Sequence, residues 1–352
     1  MNSNNSKNDT VGVLGAGSFG VAVSNLLAKN RKVLLFTRRQ EVADEIKSTG
    51  KIRGMKMDAA IEPTTDLQLL SNTCKLIFIV VRSAHFREMM KTLSPLMQPD
   101  HILIHGTKGF DVALSESELL DDEHIKLSRG QIRTMSEVVL EESVVRRVGV
   151  FSGPNLAKEI VEGQLAGTVI ASKFDEVIHE GRKALENPRF KVYESYDVTG
   201  IELAGALKNI MALAAGALSG LGYGQNARSM IISRGLAEMA WLGKVLGGNP
   251  QAFMGVAGVG DLVATCSSEL SRNFTVGSRI AKGEKLQEIL SSMNDVVEGL
   301  YTVKIVNGLA NYYQARAPIT QTLFKVLFKD MPIEEGIDYL MNYPIQKDVG
   351  FL

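Results

Sequence analysis

Residues 10–196 read as an α/β domain built on a parallel sheet, and residues 197–352 as an all-α domain. Three observations predict this. Short apolar runs alternate with helix-spaced segments up to about residue 196. One of these runs, 76–81 (LIFIVV), is continuously apolar, as expected for a strand buried on both faces of a parallel sheet. After Asp197 no strand-like alternation stands out, and long helical stretches take over.

Residues 1–9 (MNSNNSKND) are polar, lack the apolar core of a signal peptide, and are expected to form a disordered tail. Residues 11–15 are a short apolar strand closed by glycine. Residues 18–29 have helical spacing, with Val21, Val23, Leu26 and Leu27 apolar. A strand at 32–36 and a helix at 41–47 come next. The buried strand at 76–81 precedes a helix at 86–97, and 102–105, 148–151, 168–171 and 191–194 read as further strands. This order predicts helices on both faces of the sheet. The acid-rich stretch 115–126 (SESELLDDEHIK) is expected to be a surface loop or short excursion. In the second half, helices are expected at 200–218, 227–246, 274–282, 303–313 and 319–329. Pro318 and Pro332 stand where a helix would start, a position proline suits.

Composition narrows the function classes. The 352 residues carry 39 Lys+Arg against 39 Asp+Glu, so there is no basic excess to suggest nucleic-acid binding. With 45% hydrophobic and 22% charged residues, a mostly disordered chain is excluded. Cys74 and Cys266 are the only cysteines, which rules out a disulfide framework and a four-cysteine zinc site. No His/Cys/Asp cluster has metal-ligand spacing, and His85, His101 and His105 read as structural or surface residues. No apolar run approaches the roughly 18–20 residues of a membrane helix. The strongest candidate, 210–218, is broken at Ser219-Gly220. A soluble cytoplasmic protein is expected.

Three motifs carry chemistry. In Gly15-Ala16-Gly17-Ser18-Phe19-Gly20, a glycine-rich turn follows a strand and opens a helix, the context of a dinucleotide site. Gly15 would make the tight turn, Gly17 admit a pyrophosphate and Gly20 let helix and strand pack closely. The anion would then meet the helix N-terminus, and the first domain is read as Rossmann-type. A ribose 2′-hydroxyl usually meets an acid about 20 residues on. Here the second strand ends in Arg38 and Arg39, which suit a 2′-phosphate, so NADP is favoured over NAD.

Lys208 lies amid the apolar helix 202–210 (ELAGALKNI), with Gly205, Ala212 and Ala215 on its face. Two readings stay open locally: a desolvated lysine that moves a proton, or one that snorkels to the surface. The third motif, 255–266 (GVAGVGDLVATC), delivers Asp261 from a glycine-rich loop in which Gly258 and Gly260 shape the turn. Shortly after, Ser271 reads as a helix N-cap with Arg272 and Asn273 in the first turn, an arrangement that suits a phosphate as well as an ordinary capped helix.

Together GAGSFG, TKGF, SGPNLAKE, GALKN, GVGDLVATC, SRNF and VVEG, in this order, resemble the bacterial-type NAD(P)-dependent glycerol-3-phosphate dehydrogenases over nearly the whole chain. The resemblance implies interconversion of sn-glycerol 3-phosphate and dihydroxyacetone phosphate, supplying phospholipid synthesis, by a homodimer. It implies Lys208 as proton acceptor, Lys108 as a contact to substrate and cofactor, and Asp261 as a substrate contact that also holds the lysine. Ser271, Arg272 and Asn273 would bind substrate, with Arg272 also near the cofactor. Ser18, Phe19, Arg38, Val297 and Glu298 would contact the cofactor, and Gly153, Asn155 and Ala157 would lie on a loop touching substrate and cofactor.

Three departures from the family pattern stand out. Arg82 replaces a usual proline, which puts the geometry of that loop in doubt. Asn155 replaces a usual Ser or Thr. The connection between Lys108 and Ser136 is longer than usual. Two rival readings remain at this point: another oxidoreductase of the 3-hydroxyacid dehydrogenase type, and a catalytically silent NAD(P)-binding regulator.

Overall fold

The computed structural model describes residues 10–114, 118, 125–293 and 297–344. The expected tail at 1–9 and most of the acid-rich stretch 115–126 lie outside the described residues. The chain divides into two compact units, 1–107 with 135–198 and 108–134 with 199–352. The stretch 108–134, placed by the sequence reading in the first domain, therefore groups with the helical unit.

The first unit is built on eight strands: β1 (Thr10–Leu14), β2 (Lys32–Phe36), β3 (Ile61–Thr64), β4 (Leu76–Ile79), β5 (Ile102–His105), β6 (Arg147–Ser152), β7 (Ala166–Ser172) and β8 (Phe190–Ser195). Their order in the sheet is β8-β7-β6-β5-β4-β1-β2-β3. The order reverses beside β1, the crevice where such sheets take their ligands. Neighbours run parallel except β6 and β7, which are antiparallel. The link between those two holds only one five-residue helix, short for the crossover a parallel pair needs.

Alternate residues of the central strands feed two cores. Val11, Val13, Val33, Leu35, Phe78 and Ile104 point to one face, which is covered by α1 (Ser18–Leu27), α2 (Gln40–Thr49), α6 (Ala157–Val161) and α7 (Asp175–Leu185). Leu14, Leu34, Phe36, Ile77, Ile79 and Leu103 point to the other, under α3 (Leu67–Thr73), α4 (Phe86–Leu93) and α5 (Met135–Glu142). This period of two explains why β4 is apolar throughout and why β1, β2 and β5 are apolar except for Thr10, Lys32 and His105 at their ends.

The second unit contains α8 (Val198–Gly220), α9 (Gln225–Val245), α10 (Asp261–Cys266), α11 (Arg272–Ala281), α12 (Leu286–Ser292), α13 (Glu298–Tyr313), α14 (Pro318–Phe328) and α15 (Ile333–Met341). Helix α8 is its axis: every residue from Gly200 to Gly216 is buried. At 23 residues it is long and apolar enough to cross a membrane, a length the broken run 210–218 did not suggest, but 89% of the relevant window is buried in protein. A helix apolar on all sides belongs in such a core.

Helices α8 and α11 meet backbone to backbone. A Cβ on Gly216 would lie 2.0 Å from the Phe274 carbonyl oxygen, and one on Gly277 2.0 Å from that of Leu213. This contact seats the N-terminus of α11 against the middle of α8. Gly277→Ala should force the helices apart and cost about 1–3 kcal/mol or more, read as a lower urea midpoint. An unchanged midpoint would show that the close approach is dispensable.

Candidate active site

In the first unit, the glycine-rich turn joins β1 to α1. Gly15 has φ +115°, a left-handed value that disfavours any side chain, and a Cβ on Gly20 would lie 1.7 Å from the Gly15 carbonyl oxygen. Gly17 is different: a Cβ there would meet nothing within 4 Å. Gly17 is also the N-cap of α1, which has no side-chain cap and no acid in its first turn. The open position and uncapped amides suit a pyrophosphate. Ser18 opens the helix and Phe19 stacks on Phe151 at the end of β6, with ring centroids 5.6 Å apart. Ala157 begins α6, which packs on α1.

Arg38 and Arg39 are exposed beyond the end of β2. No acid lies between Phe36 and Glu41 to compete with a bound anion. Arg82 has φ −67°, the value a proline ring would impose. Asn155 donates to the Gly167 carbonyl oxygen at 3.0 Å and accepts from Thr168 Oγ1 at 3.1 Å, tying the loop after Gly153 to β7. His101 and His105 are buried and hydrogen-bonded to Ser71 and Ser136, whereas His85 is exposed.

In the second unit, one carboxylate holds two lysines. Asp261 Oδ1 accepts from Lys208 Nζ at 2.8 Å and Oδ2 from Lys108 Nζ at 2.5 Å. Asp261 is 2% exposed, and Lys208 is also buried, so Lys208 does not snorkel to solvent. A π-helical turn, Val256–Gly260, feeds directly into α10 and places Asp261 at the head of that helix. The expected loop is thus helical, of a wide type that recurs at functional sites.

Thr265, one helical turn after Asp261, was not singled out by the sequence reading. Its Oγ1 donates to the Asp261 carbonyl oxygen at 2.6 Å and accepts from Lys208 Nζ at 2.6 Å. The signal was available in the spacing of four, which puts Asp261 and Thr265 on one helix face. With Asp261 and Thr265 taking two N–H groups, the protonated Lys208 has a third for another oxygen.

With both lysines protonated, the cluster carries one net positive charge in a buried setting, which favours an anionic partner. Burial draws Lys108 down to about 8; the Asp261 carboxylate resists that fall and Lys208 adds to it. Burial would raise Asp261, but Lys108 and Lys208 hold its carboxylate below the usual range.

Ser271 caps α11, accepting from the Phe274 amide at 3.3 Å. Arg272 follows it on the exposed surface. Asn273 turns inward instead: it donates to Asn209 Oδ1 at 2.9 Å and accepts from the Gly299 amide at 3.0 Å. It thereby joins α8, α11 and α13 next to Lys208. Val297 is the buried N-cap of α13, and Glu298 is half-buried at its first position. Among the described residues, no group of three or more His, Cys, Asp or Glu could hold a metal ion.

Comparison with known proteins agrees across both units. A model described as the NAD-dependent glycerol-3-phosphate dehydrogenase N-terminus matches residues 10–178, and one for the C-terminus matches residues 197–338. The glycerol-3-phosphate dehydrogenase (NAD(P)+) of Pseudomonas aeruginosa strain LESB58 is 37% identical over 347 residues, 97% of each chain. That of Teredinibacter turnerae is 38% identical over 344 residues, 96% of each. The crystal structure of the Coxiella burnetii glycerol-3-phosphate dehydrogenase matches with a TM-score of 0.84 at 31% identity, covering 95% of this chain and 99% of its own.

Burial brings the Lys108 ammonium down to about 8, so it sheds its charge earlier than an ordinary lysine as pH rises. If that charge helps hold a phosphorylated substrate, kcat/KM should fall about tenfold per pH unit above this value. Lys108→Arg, which stays charged, should carry the falling limb to higher pH; an unmoved limb would assign it to another group.

Proposed function

This chain belongs to the NAD-dependent glycerol-3-phosphate dehydrogenase family, and on that premise we propose which of its residues hold cofactor and substrate and which move the proton. The protein is an oxidoreductase that interconverts sn-glycerol 3-phosphate and dihydroxyacetone phosphate with NAD(P), supplying glycerol 3-phosphate for phospholipid synthesis. The rival readings, a different hydroxyacid dehydrogenase and a silent regulator, lose their footing with that membership.

In our reading, residues 10–196 form the dinucleotide-binding domain, apart from 108–134, and 197–352 form the substrate domain. When bound, the nicotinamide supplies the hydride for reduction of the C2 carbonyl and takes it back in the reverse direction. The turn of Gly15, Gly17, Ser18, Phe19 and Gly20 holds the pyrophosphate end, and Arg38 and Arg39 meet the adenosine ribose. Ala157, Val297, Glu298 and Arg272 complete the cofactor contacts. Gly153, Asn155, Ser271, Arg272 and Asn273 bind the substrate.

Lys208 carries the proton chemistry. Protonated, it donates to the C2 carbonyl oxygen as negative charge develops there; neutral, it accepts the C2 hydroxyl proton. Asp261 fixes the direction of Nζ, with Thr265 as a second anchor. Lys108 touches substrate and cofactor and adds positive charge for the phosphorylated ligand. The Lys108–Asp261–Lys208 cluster, in which Asp261 and Lys208 are buried and Lys108 partly so, is the single observation that carries this assignment. We further propose a cytoplasmic setting and a homodimeric assembly, both taken from the family; a monomer mass by sedimentation would overturn the second.

NADPH oxidation with dihydroxyacetone phosphate should proceed in the wild type. In Lys208→Met, kcat should fall about 10²–10⁴-fold while NADPH binding, followed by fluorescence, survives. Near-normal turnover in that variant would refute the role of Lys208. For the cofactor, kcat/KM should favour NADPH over NADH, and Arg38→Ala should erode that preference through NADPH alone. A strong NADH preference in the wild type would sink this part of the reading.

A further inference from the structure

The described part of the stretch 108–134 is tightly fastened within the helical unit. It leaves Lys108 through buried Phe110 and forms a short antiparallel ladder, Asp111 opposite Arg133 and Val112 opposite Ile132. The outgoing limb therefore depends on the returning limb, three residues from the Lys108 ammonium group's own backbone.

The returning limb is held at several points. Ile125 accepts through its carbonyl oxygen from Asn311 Nδ2 at 3.1 Å. The Leu127 amide donates to the Gly308 carbonyl oxygen at 2.9 Å, and Leu127 is fully buried. A Cβ on Gly308 would come within 2.8 Å of the Leu127 side chain, so the helix presents a bare site for it. The Arg129 amide donates to the Tyr313 hydroxyl at 3.0 Å, and its guanidinium donates to the Ile132 carbonyl oxygen at 3.0 Å. Ser128 and Gln131 close a capping box that stiffens the turn between them. Three of these anchors, Gly308, Asn311 and Tyr313, lie on α13.

Helix α13 is also referenced to Lys208. The amide of Gly299 in its first turn is held by Asn273, which in turn binds Asn209, the residue after Lys208. Both lysines that converge on Asp261 are thus registered against one helix: Lys208 at its N-terminal end, and Lys108 through a strap fixed to its C-terminal half.

We propose that residues 125–133 are a positioning strap for the known reaction, with Leu127 and Arg129 the residues that set Lys108 against Asp261. The inference rests on the reading of Lys108 as a substrate and cofactor contact. A lysine on a connecting segment would otherwise sample many rotamers, and a displacement near 1 Å can cost up to about 10²-fold in rate. The strap holds the backbone from which Lys108 reaches Asp261.

The test compares Leu127→Ala and Tyr313→Phe with the wild type and with Lys108→Ala, using kcat and KM for dihydroxyacetone phosphate, KM for NADPH, the pH profile and the thermal midpoint. Tyr313→Phe keeps the ring and removes only the acceptor for the Arg129 amide, so it keeps the test alive should Leu127→Ala fold poorly. Strap variants should lower kcat/KM for dihydroxyacetone phosphate by of order tenfold and carry the alkaline limb to higher pH, as Lys108 escapes to water. In Lys108→Ala, the same strap changes should have no further effect on kcat/KM. A lower thermal midpoint with kinetics and pH profile unmoved in both strap variants would overturn the proposal, leaving only a structural tie. If Lys108→Ala itself keeps wild-type kinetics, the reading of Lys108 fails, which is distinct from a crippled Lys108→Ala beside unaffected strap variants.

Discussion

One buried carboxylate organises the second unit. Asp261 is shared between two lysines that enter from different parts of the chain, one at the start of the stretch 108–134 and one on the central helix. An isolated charge in that position would carry a desolvation cost of several kcal/mol. The shared arrangement offsets much of it and, with both lysines protonated, leaves one positive charge in excess. In the reading proposed above, that same shortage of negative charge suits a phosphorylated alcohol or ketone, so that stability and ligand binding would draw on a single electrostatic imbalance.

The scaffold supports that imbalance with backbone contact. Helix α8 gives Lys208 a surrounding of small and apolar residues, and the reciprocal glycines Gly216 and Gly277 bring α11 close enough for Asn273 to reach Asn209. The π-helical turn before α10 aims Asp261 at the same point. Each device is local, yet their combination fixes the position of one ammonium group from three sides.

Much of this was legible in the sequence where the physics is local. The turn from Gly15 to Gly20 could be read because tight turning and close packing each require glycine at a defined place. The buried strands were legible from LIFIVV and its neighbours. Strand β3 was not, because Glu62 and Pro63 interrupt its apolar pattern; it lies at the sheet edge, where proline is tolerated. The antiparallel turn of β7 was also hidden, since strand direction depends on how the chain crosses the sheet.

In the site, Lys208 and Asp261 stood out as charges in apolar or glycine-rich settings, but 53 residues separate them and nothing local says that they meet. Asn273 was read only as a phosphate-side group; its inward bonds to Asn209 and Gly299 depend on tertiary packing. Thr265 escaped notice because a hydroxyl within an apolar helix is unremarkable until its lysine partner is known.

The way the chain passes between units has a consequence for its synthesis. The segment 108–134 leaves the ribosome with Phe110, Leu127 and Ile132 ready to be buried, but the Tyr313 hydroxyl that receives the Arg129 amide follows 184 residues later. Until then the strap lacks its anchors on α13. A fragment cut at the apparent domain boundary near 196 would retain this orphaned apolar segment. The nascent first unit must therefore carry a latent sticky loop for more than half the time taken to make the protein, which makes the order of translation part of the fold's design problem.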